Sequence, residues 1–282
     1  MKSVRLVSIL ALLALLLSVA AASAIQTLKP MSPVLKQVLG GDQSQEMMRK
    51  IELVRQAGLS YAPELVVPLT SDFTCKDPEG LRILAGMLGF DANYALAFGN
   101  KDAFFKNREF ARNNVTGHLP AAGKLENPPV PAKAMETLQT NPDDVEARKA
   151  LAVAGEKTIA RMIEAADEDP EVLDLLVDGL YGSTVEGLYV VCSLAMTSEV
   201  GPELVQVFND QAERINRLLV PLKNAQDDKT LVTLLEVTER KGVLEPVMAR
   251  IQQRKGNMTL ADVQWILAQV TPEREKLAAA CR

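Results

Sequence analysis

Apolar residues recur at steps of three and four along most of the chain, which confines it to helices that each bury one apolar stripe. The longest stripe is Leu204, Phe208, Ala212, Ile215, Leu219 and Leu222, with Arg214 and Arg217 projecting elsewhere. Shorter ones run through Met47, Ile51 and Val54; through Leu151, Ala154, Thr158 and Met162; through Leu231, Leu234 and Thr238; and through Leu260, Val263, Leu267 and Val270. Only pieces such as Leu65 to Val67 read as strand, too little for a sheet.

Helix starts share a device in which proline follows a capping-type residue and precedes an acidic one. It appears as Asp77-Pro78-Glu79, Asn141-Pro142-Asp143, Asp169-Pro170-Glu171, Gly201-Pro202-Glu203 and Thr271-Pro272-Glu273. Proline's missing N–H is harmless at the first helical position, the preceding side chain can accept an orphan amide, and the carboxylate suits the positive helix end. Thr259 followed by Asp262 reads as a capping box. Gly40-Gly41, Gly58, Gly99, Gly242 and Gly256 mark stops, where a left-handed residue ends a helix. This punctuation predicts an all-α protein, a multi-helix array or bundle of about eleven to thirteen helices.

One connection interrupts the periodicity. Residues 114–130 collect Gly117, Pro120, Gly123, Pro128 and Pro129, and divide the chain into helical lobes over 25–113 and 131–282. Asn141 to Ala152, NPDDVEARKALA, resembles the turn and first helix of a tetratricopeptide repeat. The starting prolines at 142, 170 and 202 are unequally spaced, however, and do not follow that family's fixed period.

The N-terminus carries Lys2 and Arg5, an apolar run from Leu6 to Leu17, and the small residues Ala22, Ser23 and Ala24. This pattern predicts a secretory signal peptide over residues 1–24, cleaved before Ile25, and a protein of the periplasm or exterior. The run falls short of the roughly 20 apolar residues that span a bilayer, so no membrane span is expected once it is removed. Losing Lys2 and Arg5 takes the net charge from −5 to about −7. A chain so acidic, with scattered basic residues, lacks the electrostatic footprint that a nucleic-acid partner requires.

With 48% hydrophobic residues the chain can bury a core, which excludes disordered and collagen-like classes. Its single histidine, His118, excludes metal sites that need two imidazoles, and no cofactor fingerprint appears. His118 is the one candidate general base of near-neutral ordinary pKa, and it lies in the irregular connection without a nucleophile or orienting acid at a diagnostic spacing. The acidic cluster Glu164, Asp167, Glu168, Asp169, Glu171, Asp174 and Asp178 lacks the turn glycine of a calcium loop, and reads as the end of one helix and the start of the next. Asn114-Val115-Thr116 and Asn257-Met258-Thr259 match the N-glycosylation pattern.

In an oxidising compartment Cys75, Cys192 and Cys281 can form one intramolecular bridge. Gly80, Gly86 and Gly89, and Gly179, Gly182 and Gly187, predict that two helices approach closely. If those helices are antiparallel, Cys75 lies near Cys192, which places that pairing ahead of Cys75 with Cys281 and of Cys192 with Cys281.

The function expected from these features is that of an exported, non-enzymatic helical protein that binds a partner protein. One alternative is a carrier of an apolar small molecule held between helices by Phe90, Tyr94, Phe98, Phe104 and Phe105, with Phe110 nearby. Another is an enzyme using His118 or a carboxylate pair.

Overall fold

The computed structural model describes residues 60–70, 73–75, 77–124, 131–197, 241–255 and 257–279. Among them are eight α-helices and no strand. In chain order the helices are α1 (Pro78–Ala97), α2 (Lys101–Asn114), α3 (Pro120–Lys124), α4 (Ala132–Thr140), α5 (Val145–Ala165), α6 (Pro170–Met196), α7 (Lys241–Arg254) and α8 (Leu260–Ala279). Two 3-10 turns, η1 (Pro63–Leu65) and η2 (Thr116–His118), complete them. The leader, the stripes at 47–54, 204–222 and 231–238, the Gly201-Pro202-Glu203 start, the glycines at 40, 41, 58 and 256, and Cys281 all lie outside the described residues.

The centre is the pair α1 and α6, whose glycines let the two backbones touch. A Cβ built on Gly86 would lie 1.9 Å from the carbonyl oxygen of Gly179, and one on Gly182 would lie 2.1 Å from that of Ile83. The predicted close approach is therefore present, but the helices run in the same direction. Arg82 meets Asp178, Gly86 meets Gly179, and Tyr94 packs with Val190 and Leu194, so sequence positions rise together along both axes. α6 is long and apolar enough to cross a membrane, yet 89% of its most apolar window is buried inside this protein, as suits a central core helix.

α2 folds back onto α1 through Gly99, whose φ of 72° is the expected left-handed stop, and Asn100 caps α2 through the Ala103 amide. α5 and α8 pack on α6, α4 on α5, and α7 on α8. One continuous core runs from Val67 to Ala278 and draws on both sides of the 114–130 connection, part of which is itself ordered as η2 and α3. Arg148 of α5 also joins the two sides, since its buried guanidinium donates to the Leu96 carbonyl at the end of α1 at 2.7 Å.

The start signals fared unequally. Asp77 accepts the Gly80 amide and Asp169 the Glu171 amide, each before a first-turn proline. Thr259 and Asp262 form the reciprocal capping box, each side chain accepting the other's amide. At Asn141-Pro142-Asp143 the helix begins later: Asp144 is the cap, accepting the Ala147 amide at 2.8 Å, while the Pro142 carbonyl and Asp143 carboxylate accept from Arg148. Thr271-Pro272-Glu273 is not a start at all and lies inside α8. Val263, Ile266, Val270 and Leu277 stay buried on both sides of Pro272, and that burial outweighs the roughly 3 kcal/mol that an interior proline costs. Ile266 belongs to this face, whereas Leu260 at 44% exposure does not. Gly242 likewise lies within α7 instead of ending a helix, and Lys255 takes the left-handed conformation after it, with φ 44°.

Candidate functional site

The most highly charged buried cluster arises where α1, α6 and α8 meet, and the sequence gives little warning of it. Asp91 of α1 and Glu186 of α6 are fully buried, and Arg274 of α8 is nearly so. Arg274 grips the Glu186 carboxylate with two parallel bonds, Nε to Oε2 at 3.0 Å and Nη2 to Oε1 at 2.9 Å, the fork geometry that suits arginine. The guanidinium also lies over the Tyr189 ring, 4.6 Å from its centroid, and donates to the Leu65 carbonyl at 3.0 Å.

Asp91 has a different partner. Its Oδ2 accepts the Val67 amide at 2.9 Å, while no donor among the described residues reaches Oδ1. Beside Asp91 lies the Glu186 carboxylate, itself an acceptor. Burial pushes the Asp91 carboxyl well above the usual carboxylate range, the Glu186 charge pushes it further, and the Val67 amide and Arg274 only partly oppose this. Glu186 is also raised by burial, with Arg274 holding it back. The arrangement is satisfied when Asp91 is protonated and its hydroxyl donates to Glu186, so that two carboxyl groups share one proton and one counter-charge.

Residues 60–67 cross this cluster as a strap. Ala62 donates its amide to the Tyr94 hydroxyl at 2.8 Å, Leu65 accepts from Arg274, and Val67 donates to Asp91. Burial and the neighbouring carboxylates push the Tyr61 hydroxyl up to about 12; burial does the same for Tyr94, against the Ala62 amide. Both phenols therefore stay neutral.

A second feature is on the surface. A groove of about 460 Å³ is lined by Pro131, ahead of α4, and by Glu146, Lys149, Ala150, Val153, Ala154 and Lys157 of α5. Val153 is 39% exposed, and Val145 at the start of the same helix is 69% exposed.

The residues singled out from sequence disperse over this framework. His118 is exposed at the end of η2, away from Asp91 and Glu186 in sequence and in element. The aromatic residues separate into two groups. Tyr94 contacts Tyr61, Phe90 and Phe98, whereas Phe104 contacts Phe105 and the Arg108 guanidinium, and Phe110 contacts Phe73. In the acidic cluster, Asp169 and Glu171 hold Lys124, and Asp178 holds Arg82. Asp174, half-buried, is raised to about 6 by burial, with Arg82 opposing and Asp178, Glu79 and Glu171 adding to the rise. No group of three metal-ligating side chains occurs among the described residues. Of the two glycosylation patterns, Asn257 is exposed, whereas the Asn114 amide donates to the Phe110 carbonyl within α2.

Cys192 is a free, fully buried thiol whose pKa burial pushes up, as fits a small core residue. The pairing placed first from sequence, Cys75 with Cys192, is overturned by the parallel course of α1 and α6. Cys75 precedes α1 at the end where Arg82 meets Asp178, and Cys192 lies more than about 20 Å further along α6, against the roughly 7 Å between Cα atoms that a disulfide allows.

The fold and its charged centre thus define an all-helical protein built around a parallel, glycine-mediated helix pair. No family model, curated protein or solved structure matches the chain.

Proposed function

We propose that this is an exported helical protein that binds a partner protein, and that the groove beside α5 takes the partner's segment. The observation that carries the reading is the make-up of that groove. An apolar floor of Ala150, Val153 and Ala154 is flanked by Lys149 and Lys157, with Glu146 the single acid in the lining, on a chain whose net charge is −5. Charge complementarity therefore selects an extended or helical segment with apolar anchors and acidic side chains next to them.

The test places a photo-cross-linking side chain at Val153 in the native host. The expected result is one adduct of defined mass, reduced at least about tenfold by Lys149→Glu with Lys157→Glu, which corresponds to about 1.4 kcal/mol across two contacts. An adduct that ignores the charge reversal, an adduct of the chain with itself, or none at all overturns the proposal.

The compartment carries a second expectation. With Cys192 enclosed in the core, Cys75 and Cys281 are the cysteines left to pair in an oxidising compartment. Peptide mapping without reductant should recover a linked pair containing Cys75 and Cys281, and intact mass should begin the chain at Ile25. A linked peptide containing Cys192, three free thiols, or residues 1–24 still attached would count against export as proposed.

A further inference from the structure

We propose that Asp91, Glu186 and Arg274 form a proton-operated latch, in which release of the proton shared by the two carboxyl groups detaches residues 60–67 and uncovers the aromatic face beneath them. The geometry supplies the parts. The strap is fastened by single backbone bonds to Tyr94, Arg274 and Asp91, and two of those three anchors belong to the charged cluster. Beyond its short 3-10 turn the strap has no helical ladder of its own, so it is the covering element that opens at least cost.

The proton step is simple. The Asp91 O–H bond breaks, the proton passes to hydroxide to give water, and no electron is transferred. Before the step one negative charge faces the Arg274 guanidinium; afterwards two do, in a fully buried position. The second carboxylate is left with the Val67 amide and no cation of its own, and an uncompensated buried charge must be hydrated. The groups around it offer one cation between two carboxyl groups. Glu186 from α6, Tyr94 from α1, Arg274 from α8 and Tyr61 from the strap face Asp91 itself, while Tyr189 of α6 lies against Arg274 and Glu64 of the strap beside the phenols of Tyr61 and Tyr94. Arg274 alone is positive, and the neutral phenols cannot absorb the change. Water reaches Asp91 by the strap moving away, and Glu64 leaves with it.

Movement of the strap has a defined consequence. Tyr61, Ala62, Leu65 and Val66 pack on Tyr94, Val190 and Leu194, so opening exposes an apolar, aromatic surface at the end of the α1–α6 pair. The sign follows from the raised carboxyl: the closed form is fully favoured below the ordinary carboxylate range and is lost as pH rises through the folded-state value.

Hydrogen exchange of the full chain, read between about pH 5 and pH 10 and corrected for intrinsic rates, tests this. Protection of the Ala62 and Val67 amides should fall by up to about tenfold per pH unit as pH climbs from the ordinary carboxylate range to the raised folded-state value, the limit for one released proton, and level off above it, while amides at the centre of α6 keep theirs. Asp91→Asn copies the protonated acid, accepting from Val67 and donating to Glu186, and should hold the strap closed throughout. Glu186→Gln removes the like charge and should also abolish the transition, so the test stands if one variant fails to fold. A wild-type strap with no transition, a transition that persists in either folded variant, or loss of α6 protection in step with the strap overturns the latch.

Discussion

Gly86→Ala should destabilise the protein by about 3 kcal/mol, far more than its chemistry suggests. Alanine is the better helix former by about 1 kcal/mol, so a free helix would gain. Here the new methyl group would lie 1.9 Å from the Gly179 carbonyl oxygen and within 3 Å of the Gly179 carbonyl carbon and Cα. All three are backbone atoms, which cannot rotate away as a side chain would. α1 and α6 would have to separate along the crossing, loosening the contacts of Leu84, Met87, Leu88 and Val185 around it. Gly182→Ala should behave alike through Ile83, and the double substitution should cost less than the sum, because the first already parts the helices. Gly123→Ala in α3 is the control: nothing lies within 4 Å of its Cβ position, and it should be neutral or gain up to about 1 kcal/mol. Urea unfolding midpoints measure all four. A Gly86→Ala protein within about 0.5 kcal/mol of the parent would show that the helices are not in backbone contact.

The crossing was half legible in the sequence. Glycines spaced along two apolar segments announce that backbones approach, because nothing else explains residues so costly to helix stability inside helices. Their direction is not written there. Antiparallel neighbours are natural for sequential helices joined by short turns, but α1 and α6 are separated by α2 to α5, and that intervening chain returns the path to the starting end. The error moved Cys75 away from Cys192 by the length of a helix. Proline starts erred for a related reason. Local capping chemistry at Thr271-Pro272-Glu273 is sound, but the apolar face of α8 continues across it, and tertiary burial decides whether a helix breaks.

The charged cluster was barely legible. Asp91, Glu186 and Arg274 each look like one more polar residue on a helix, and no spacing links them. One signal existed: Glu186 stands at the start of the apolar segment that runs from Val185 to Met196, between Val185 and Gly187, where a charge should not be without a partner. The partner, at Arg274, is unrecognisable before the helices are assembled. The surface groove has the same character, since Val145 and Val153 stand out only once α5 shows which of its faces is covered.

Arg274→Met should destabilise the protein by about 3 to 5 kcal/mol near neutral pH, and much less in acid. Methionine fills a comparable volume, so packing is largely kept and the loss is electrostatic. Without the guanidinium, Glu186 is a fully buried carboxylate facing Asp91, with both of its strong bonds gone. Its remaining route to stability is to take up a proton, so its folded-state pKa must climb further above the ordinary value. The variant is therefore penalised least below about pH 4, where the unfolded carboxyl is also protonated, and the penalty grows as pH rises through the new folded-state value. Arg274→Lys should fall between, because an ammonium keeps the charge but cannot make the bidentate contact and reach Leu65 as well. Adding Glu186→Leu to Arg274→Met should recover part of the loss, since a buried pair replaced whole by apolar groups costs far less than one left half-broken. Unfolding midpoints of the parent, the two single variants and the double variant at two pH values decide the matter. An Arg274→Met penalty that is small, or the same in acid as at neutral pH, would mean that the two carboxyl groups are not held against each other in the core.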